Sequence, residues 1–301
     1  MVRFLAFLRL SRLKFLAGGL VGGALGGAVA AYETGSFAWA PFLLAQATVV
    51  AFHLMTHYAN DYYDRAADLR AARTPFSGGS GALVDGSLPP WVGLAAALAC
   101  AALGTAGCIA LALRGLAPAA ALGGAIGILA WAYSAPPVRL LARGLGEIDC
   151  ALVVAILVPL CTFASQSVAL TPLALAITLP GGAAMFAMML AVEYPDVRVD
   201  RATGKRNLIV RLGERAAAPL VVAACAAIYA GLALALLAGA PPALAILELL
   251  TLPLVGEFAR SVLRRSSEGP DDEAIAGRGV ALFFIVSFFA LLAFLSGQWF
   301  A

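Results

Sequence analysis

Long apolar stretches separated by short polar segments dominate the chain. A helix needs about 20 apolar residues to cross the hydrocarbon core of a bilayer, and nine stretches approach that length. The first of them carries two rows of glycines at four-residue spacing, which favours close packing between helices. The pattern predicts an all-α membrane protein, one domain over residues 1–301. We expect its nine transmembrane helices at about 14–33, 39–59, 91–112, 117–134, 147–167, 172–193, 216–238, 241–262 and 278–299.

Positive charge falls almost entirely on one side of the predicted membrane. With nine crossings, the N-terminus and the loops after even-numbered crossings share a side, and they hold 19 of the 20 Lys and Arg residues. Only Arg114 lies opposite. Because such an excess marks cytoplasmic segments, this side is predicted to face the cytoplasm, and we expect a multi-pass protein of the cell inner membrane.

The composition agrees with this location and excludes some functions. The chain is 62% hydrophobic and 12% charged, whereas soluble domains carry about 25% charged residues. Its net charge of only +3 gives no reason to expect a nucleic-acid partner. No two of the five cysteines form a C-x-x-C pair, so they are interpreted as small apolar side chains rather than zinc ligands.

An acidic cluster marks the end of the second predicted crossing. Residues 60–68 read NDYYDRAAD. If the helix continues through them, Asp61, Asp64 and Asp68 lie on one face, with Asn60 one turn from Asp64. Like charges placed together repel unless a cation lies between them, and hard oxygen ligands favour Mg²⁺ or Ca²⁺.

A second acidic cluster repeats this spacing at the end of the sixth crossing. Glu193, Asp196 and Asp200 again lie at i, i+3 and i+7, and Lys205 is one of four cations that follow. Magnesium typically binds through one or two carboxylates together with substrate phosphates, while Lys and Arg bind phosphate oxygens directly. One such cluster could equally be a solvated surface, but two on the same side favour a site that binds a polyanion through Mg²⁺.

These two motifs resemble those of the UbiA superfamily of intramembrane prenyltransferases. Residues 60–68 match its N-D-x-x-D-x-x-x-D motif, and residues 196–204 match D-x-x-x-D-x-x-x-G. The resemblance covers nearly the whole chain and includes YSAPP at 133–137 and GLGE at 144–147. It implies a bundle of helices around a central cavity that opens to the cytoplasm.

Three segments look closest to the 1,4-dihydroxy-2-naphthoate polyprenyltransferase branch. They are NDYYD at 60–64, GGSG at 78–81 and DRATGKR at 200–206. Asn207 stands where that branch often has Thr, and residues 193–195 read EYP where it often has Asn and Arg. These departures leave the diphosphate chemistry intact, but they affect the assignment of the acceptor to this branch.

The resemblance implies Mg²⁺-dependent transfer of a polyprenyl group from its diphosphate to an aromatic quinone precursor. Our first choice of acceptor is 1,4-dihydroxy-2-naphthoate, in menaquinone biosynthesis. The implied metal ligands are Asn60, Asp61, Asp64, Asp68, Asp196 and Asp200. The implied diphosphate-binding residues are Asn60, Arg73, Arg139, Arg143 and Lys205. An aromatic face, Tyr133 or Tyr62, would stabilise the cation-like allylic carbon, so that the catalytic set is Asp61, Asp64, Asp196, Asp200 and Tyr133.

Three further polar residues are candidates for the acceptor pocket. His53 and His57 lie one turn apart above Asp61, a spacing that can bind a metal, but a place in the acceptor pocket is favoured. Glu147 begins the fifth crossing, and its charge either stabilises a helix N-terminus or lies near the mouth of the site.

Several alternatives stay open at this point. Within the class, the acceptor could be 4-hydroxybenzoate, a chlorophyllide-like ring or a growing isoprenoid chain. From another class, a cation transporter would use the aspartates as ion sites, although transporters bind ions near the midplane and these acids lie at one edge. The expected partners are therefore a polyprenyl diphosphate, an aromatic acceptor and membrane lipids.

Overall fold

The computed structural model describes residues 2–70, 79–166, 169–268 and 271–297, and all regular structure in these ranges is helical. Eight helical stretches within them are long and apolar enough to cross a membrane, which confirms the predicted all-α, multi-pass fold. The helices are α1 (Val2–Leu10), α2 (Leu16–Thr34), α3 (Trp39–Tyr63), α4 (Arg65–Asp68), α5 (Pro90–Leu113), α6 (Ala117–Ser134), α7 (Gly146–Leu152), α8 (Val158–Ala164), α9 (Pro172–Ala176), α10 (Thr178–Glu193), α11 (Val197–Thr203), α12 (Leu208–Leu212), α13 (Glu214–Leu237), α14 (Ala243–Leu249), α15 (Leu252–Glu268) and α16 (Asp272–Gly297).

Most predicted crossings correspond to one continuous helix, and three, the fifth, sixth and eighth, are composite. The fifth consists of α7, a π-helical turn at Val153–Leu157 and α8. Pro159, in the first turn of α8, has no N–H to donate to the preceding turn, which favours a local change of helix type there. The sixth crossing consists of α9 and α10.

The eighth predicted crossing, at 241–262, is divided into two shorter helices. Pro253 lies just inside α15 and cannot donate a backbone hydrogen bond, so the helix breaks between α14 and α15. The pair still runs from one end of the bundle to the other. Gly239, before α14, accepts a hydrogen bond from Tyr32 at 3.3 Å, whereas Arg265, near the end of α15, pairs with Glu214 at the opposite end.

The glycine rows of α2 allow this helix to pack closely between α3 and α8, as predicted. A Cβ atom on Gly26 would overlap the carbonyl oxygen of Pro159, and one on Gly23 would overlap the Gln46 side chain. Thr162 of α8 donates a hydrogen bond of 2.8 Å to the carbonyl of Gly23. Small residues therefore bring the helix backbones together here.

Candidate functional site

A cavity of about 540 Å³ lies between α2, α3, α6, α7, α10 and α16, within the usual size of small-molecule sites. The lining residues on α3 show how the polarity of the cavity changes with depth. The lining passes from Val49 and Phe52 through His53 to Asn60 and then to Asp64, just beyond the helix end. The cavity is thus apolar inside the bundle and acidic at the end where α3 stops.

The first acidic motif does not continue as one helix, so the expectation of three carboxylates on one face is wrong. Helix α3 ends at Tyr63, and Asp64 forms its C-cap before the short α4. The Asn60 amide donates to the Asp64 carboxylate at 3.0 Å, which holds this turn. As a result Asp64 and Asp68 line the cavity, whereas Asp61 is 2% exposed and lies behind its wall.

The second acidic motif is also interrupted, contrary to the predicted single face. Pro195 cannot donate to the preceding turn; α10 ends at Glu193, and a 3₁₀ turn leads into α11. Asp196 and Asp200 line the cavity. Glu193 also lines it, is buried, and makes no side-chain hydrogen bond to any described residue.

Lys205 joins the two motifs. Its ammonium nitrogen lies 3.9 Å from Asp64 Oδ2 and 3.7 Å from Asp200 Oδ1. The other oxygen of Asp200 accepts a hydrogen bond of 2.8 Å from Asn207. Burial by itself would lower the pKa of Lys205, but the two carboxylates outweigh it, so that its pKa is raised and the side chain stays charged.

Asp68 has a raised pKa, because it is buried close to other acidic side chains at this end of the cavity. Burial, reinforced by the charges of Asp61 and Asp64 and opposed by that of Arg12, raises the pKa of Asp68 to about 7. The carboxyl group is therefore partly protonated at neutral pH unless a further cation stabilises its charge.

The donor groups at this end of the cavity fit a hard divalent cation. They are carboxylate and amide oxygens, which Mg²⁺ prefers, and the Lys205 ammonium already lies between Asp64 and Asp200 as a cation would. In the described ranges, no three His, Cys, Asp or Glu side chains form a ready-made metal centre. That finding leaves the His53–His57 pair without a third ligand of these types. Magnesium sites in proteins typically combine carboxylates with substrate phosphates.

The aromatic and histidine candidates differ in position. Tyr133 lines the cavity, whereas Tyr62 is absent from its wall and packs against Tyr63, with ring centroids 5.0 Å apart. His53 and His57 both line the cavity, and His57 Nδ1 also lies 3.0 Å from the carbonyl oxygen of Ser11.

The basic candidates from the YSAPP region do not reach the cavity. Arg139 and Arg143 are exposed on the surface, and Arg143 donates to the carbonyl of Pro137 at 2.9 Å. Neither contributes to the cavity wall. Arg73 lies outside the described residues.

Glu147 lies behind the site rather than at its mouth. It is fully buried, and one carboxylate oxygen accepts a hydrogen bond of 2.5 Å from the backbone N–H of Leu208. Leu208 is the first residue of α12, so the charge stabilises the N-terminus of a helix distant in sequence. Glu147 also lies in the first turn of α7, as expected, so its charge lies at the N-termini of two helices.

Sequence reasoning missed several polar residues of the cavity wall. They include Arg9, Arg12, Lys14, Ser80, Asp149 and Cys150. Ser80 could have been found, because it belongs to the GGSG segment. Arg12 gave no local signal, since its charge contributed only to the orientation of the membrane.

Comparison with known proteins agrees with this architecture. The sequence model of the UbiA prenyltransferase family matches residues 20–288. A search of curated proteins gave no significant match.

Solved structures of similar fold cover nearly the whole chain. A UbiA homologue from Archaeoglobus fulgidus bound to DMAPP and Mg²⁺ has a TM-score of 0.72 and 20% identity, with 95% of this chain and 99% of that chain covered. The same homologue bound to GPP and Mg²⁺ gives 0.71 and 18%, with 95% and 99% covered. The apo UbiA homologue from Aeropyrum pernix K1 gives 0.71 and 17%, with 94% and 98% covered.

Proposed function

Since the chain belongs to the UbiA prenyltransferase family, we propose that it transfers a polyprenyl group from a polyprenyl diphosphate to an aromatic quinone precursor, using Mg²⁺. The observation that carries this proposal is the position of Lys205 between Asp64 and Asp200. This contact unites the two acidic motifs at one end of a largely apolar cavity. Residues 1–301 would act as one prenyltransferase domain, with the site facing the cytoplasm from the cell inner membrane.

The donor half of the reaction follows from this arrangement. The homologue from Archaeoglobus fulgidus binds DMAPP or GPP together with Mg²⁺, and the present chain has suitable groups for both. Asp64, Asp68, Asp196 and Asp200 would hold the metal from the cavity wall, with Asn60 beside them and Asp61 behind. Bound Mg²⁺ would offset the charge that develops on the leaving diphosphate.

The chain's own residues would then complete the charge balance and shape the site. Lys205 would donate to a diphosphate oxygen as the carbon–oxygen bond of the donor breaks, which stabilises the departing anion. The ring of Tyr133, in the cavity wall, would stabilise the cation-like allylic carbon. The acceptor ring then forms the new carbon–carbon bond at that carbon, and its own attacked carbon loses the group it carried, either a proton or a carboxylate as CO₂.

The apolar part of the cavity would bind the prenyl chain and exclude water. Its wall includes Phe52, Met185, Met188, Phe283 and Phe284. Exclusion matters because water would capture the allylic cation before the acceptor does. An apolar donor tail also explains why this reaction is carried out inside a membrane bundle.

We propose 1,4-dihydroxy-2-naphthoate as the acceptor, with the product entering menaquinone biosynthesis. The support is the similarity of residues 60–64, 78–81 and 200–206 to that branch. His53 and His57 line the cavity above the acidic end and would provide polar contacts for the hydroxyl groups of the ring.

A prenyl-transfer assay on the purified protein in detergent tests both the proposed donor and the proposed acceptor. It would offer geranylgeranyl diphosphate or a longer donor with 1,4-dihydroxy-2-naphthoate or 4-hydroxybenzoate, with Mg²⁺ or EDTA, and with Asp64→Ala as the inactive control. A Mg²⁺-dependent lipid product that is absent in the variant supports the proposal, and the acceptor consumed identifies the pathway. Donor binding without either product rules out both acceptors, whereas failure to bind any prenyl diphosphate contradicts the proposal as a whole.

A further inference from the structure

The turn between α1 and α2 has an unusual backbone conformation at Arg12. Its φ of 46° and ψ of 45° lie in the left-handed region, which residues with a side chain rarely adopt. Two contacts of Ser11 hold this turn against α3. The Ser11 hydroxyl lies 2.8 Å from Tyr58 Oη, and the Ser11 carbonyl lies 3.0 Å from His57 Nδ1. Such strain persists where the surroundings fix it, and it is common at functional sites.

This conformation directs the Arg12 side chain into the acidic end of the cavity. The guanidinium pairs with Asp61, and the Arg12 side chain is 18% exposed and lines the cavity. Its Nε is buried and has no hydrogen-bond partner among the described residues. Asp68 and the backbone at Gly79 lie close by.

Arg12 therefore neutralises a carboxylate directly behind the acids that would hold the metal ion. Asp61 is 2% exposed, and a buried carboxylate is costly unless it is paired and hydrogen-bonded; besides Arg12, Asp61 accepts a hydrogen bond of 3.2 Å from the backbone N–H of Ser80. A guanidinium and a divalent cation in the same acidic site would repel each other. The free guanidinium, in contrast, has five N–H donors in a planar arrangement that suits phosphate oxygens.

We propose that Arg12 is an exchangeable counter-ion of Asp61. It pairs with this carboxylate while the site lacks its divalent cation and donor, and it turns to the donor diphosphate when the two bind. This inference rests on the proposed prenyl-diphosphate function and assigns that site a residue from outside both acidic motifs. The strained turn keeps the guanidinium within reach of both partners.

The exchange predicts changes of opposite sign in two binding measurements on Arg12→Gln. Mn²⁺ affinity without donor, measured by electron paramagnetic resonance of the free ion, should rise about three- to tenfold, because a competing cation is removed. The affinity for geranyl S-thiolodiphosphate in saturating Mg²⁺ should fall about tenfold or more, because a charge-assisted hydrogen bond is lost.

Arg3→Gln is a matched control. It removes the same charge from the same end of the chain, but Arg3 is exposed and is not part of the cavity wall. Arg12→Lys is the second variant, which keeps the charge and should leave Mn²⁺ affinity close to that of the wild type. It also covers the case in which the Gln variant does not fold.

The outcomes separate this inference from the proposed function. Opposite shifts in Arg12→Gln, with neither shift in Arg3→Gln, support the exchange. Two affinities that fall together, two that stay unchanged, or equal effects in both variants overturn it. If the wild type fails to bind the thiolodiphosphate at all, the donor function itself is wrong.

Discussion

The ammonium group of Lys205 lies 3.9 Å from the carboxylate of Asp64. The contact links the residue that ends α3 to the segment that follows α11. Because Asp200 lies 3.7 Å from the same nitrogen, one cation balances one acid from each motif. This pairing joins two separate helix ends in a single charged cluster at one end of the cavity.

Replacing Lys205 should therefore weaken donor binding. For Lys205→Gln we expect the affinity for geranyl S-thiolodiphosphate in Mg²⁺ to fall about tenfold or more, since hydrogen bonds to charged groups contribute about 1.5–3 kcal/mol. Lys205→Arg should lose less, because it keeps the charge. Arg206→Gln is the control, since Arg206 is adjacent and exposed. If the wild type and Lys205→Gln bind geranyl S-thiolodiphosphate with equal affinity, Lys205 does not bind the donor diphosphate.

Metal binding should depend on Asp64. Asp64→Asn keeps the size of the side chain and removes its charge, so we expect Mn²⁺ affinity in the absence of donor to fall at least tenfold. The same measurement on the wild type after addition of EDTA gives the value for complete metal loss. Prenyl transfer by Asp64→Asn at the wild-type rate in Mg²⁺, with unchanged Mn²⁺ affinity, would show that this carboxylate is not a ligand.

The sequence predicted the crossings well because each is a local pattern. The predicted stretch 117–134 coincides with α6, and 39–59 lies within α3. The break in the eighth crossing could have been predicted only by giving more weight to Pro253, because the hydrophobic pattern alone does not indicate where a helix is interrupted. Patterns of this kind report which residues face lipid or protein, but they do not report where a helix stops.

The acidic motifs show the limit of helical spacing as a guide. Treating each motif as a continuous helix put three acids on one face, whereas Asp64 ends α3 and Pro195 interrupts the second motif. The residue types were still sufficient to indicate that the two motifs belong together, and residues of both line one cavity. Arg12 could not be predicted, because its place beside Asp61 depends on how the turn after α1 packs on α3.

Glu147 should contribute to stability. Glu147→Ala leaves the backbone N–H of Leu208 buried without its acceptor, at an expected cost of about 1–3 kcal/mol in the free energy of unfolding. Glu147→Gln keeps an acceptor oxygen and should cost less. Thermal unfolding in detergent measures both, with the exposed Glu273→Ala as the control. A Glu147→Ala protein as stable as the wild type would contradict the role of this hydrogen bond.

The packing of α2 predicts that two similar glycine substitutions will have opposite effects. Gly26→Ala places a methyl group against the carbonyl of Pro159 and the hydroxyl of Thr162, and overpacking of this kind typically costs about 1–3 kcal/mol. Gly124→Ala adds the same methyl group within α6, where no heavy atom lies within 4 Å of it.

Because Ala is favoured over Gly inside a helix by about 1 kcal/mol, Gly124→Ala should leave the unfolding midpoint unchanged or raise it, whereas Gly26→Ala should lower it. Thermal unfolding in detergent, followed by tryptophan fluorescence, distinguishes the two. The packing of α2 also affects the site, since α2 forms part of the cavity wall through Gly18 and Gly19. Gly26→Ala should therefore also weaken donor binding, while an equal response of both variants would mean that α2 does not pack against α8 as described.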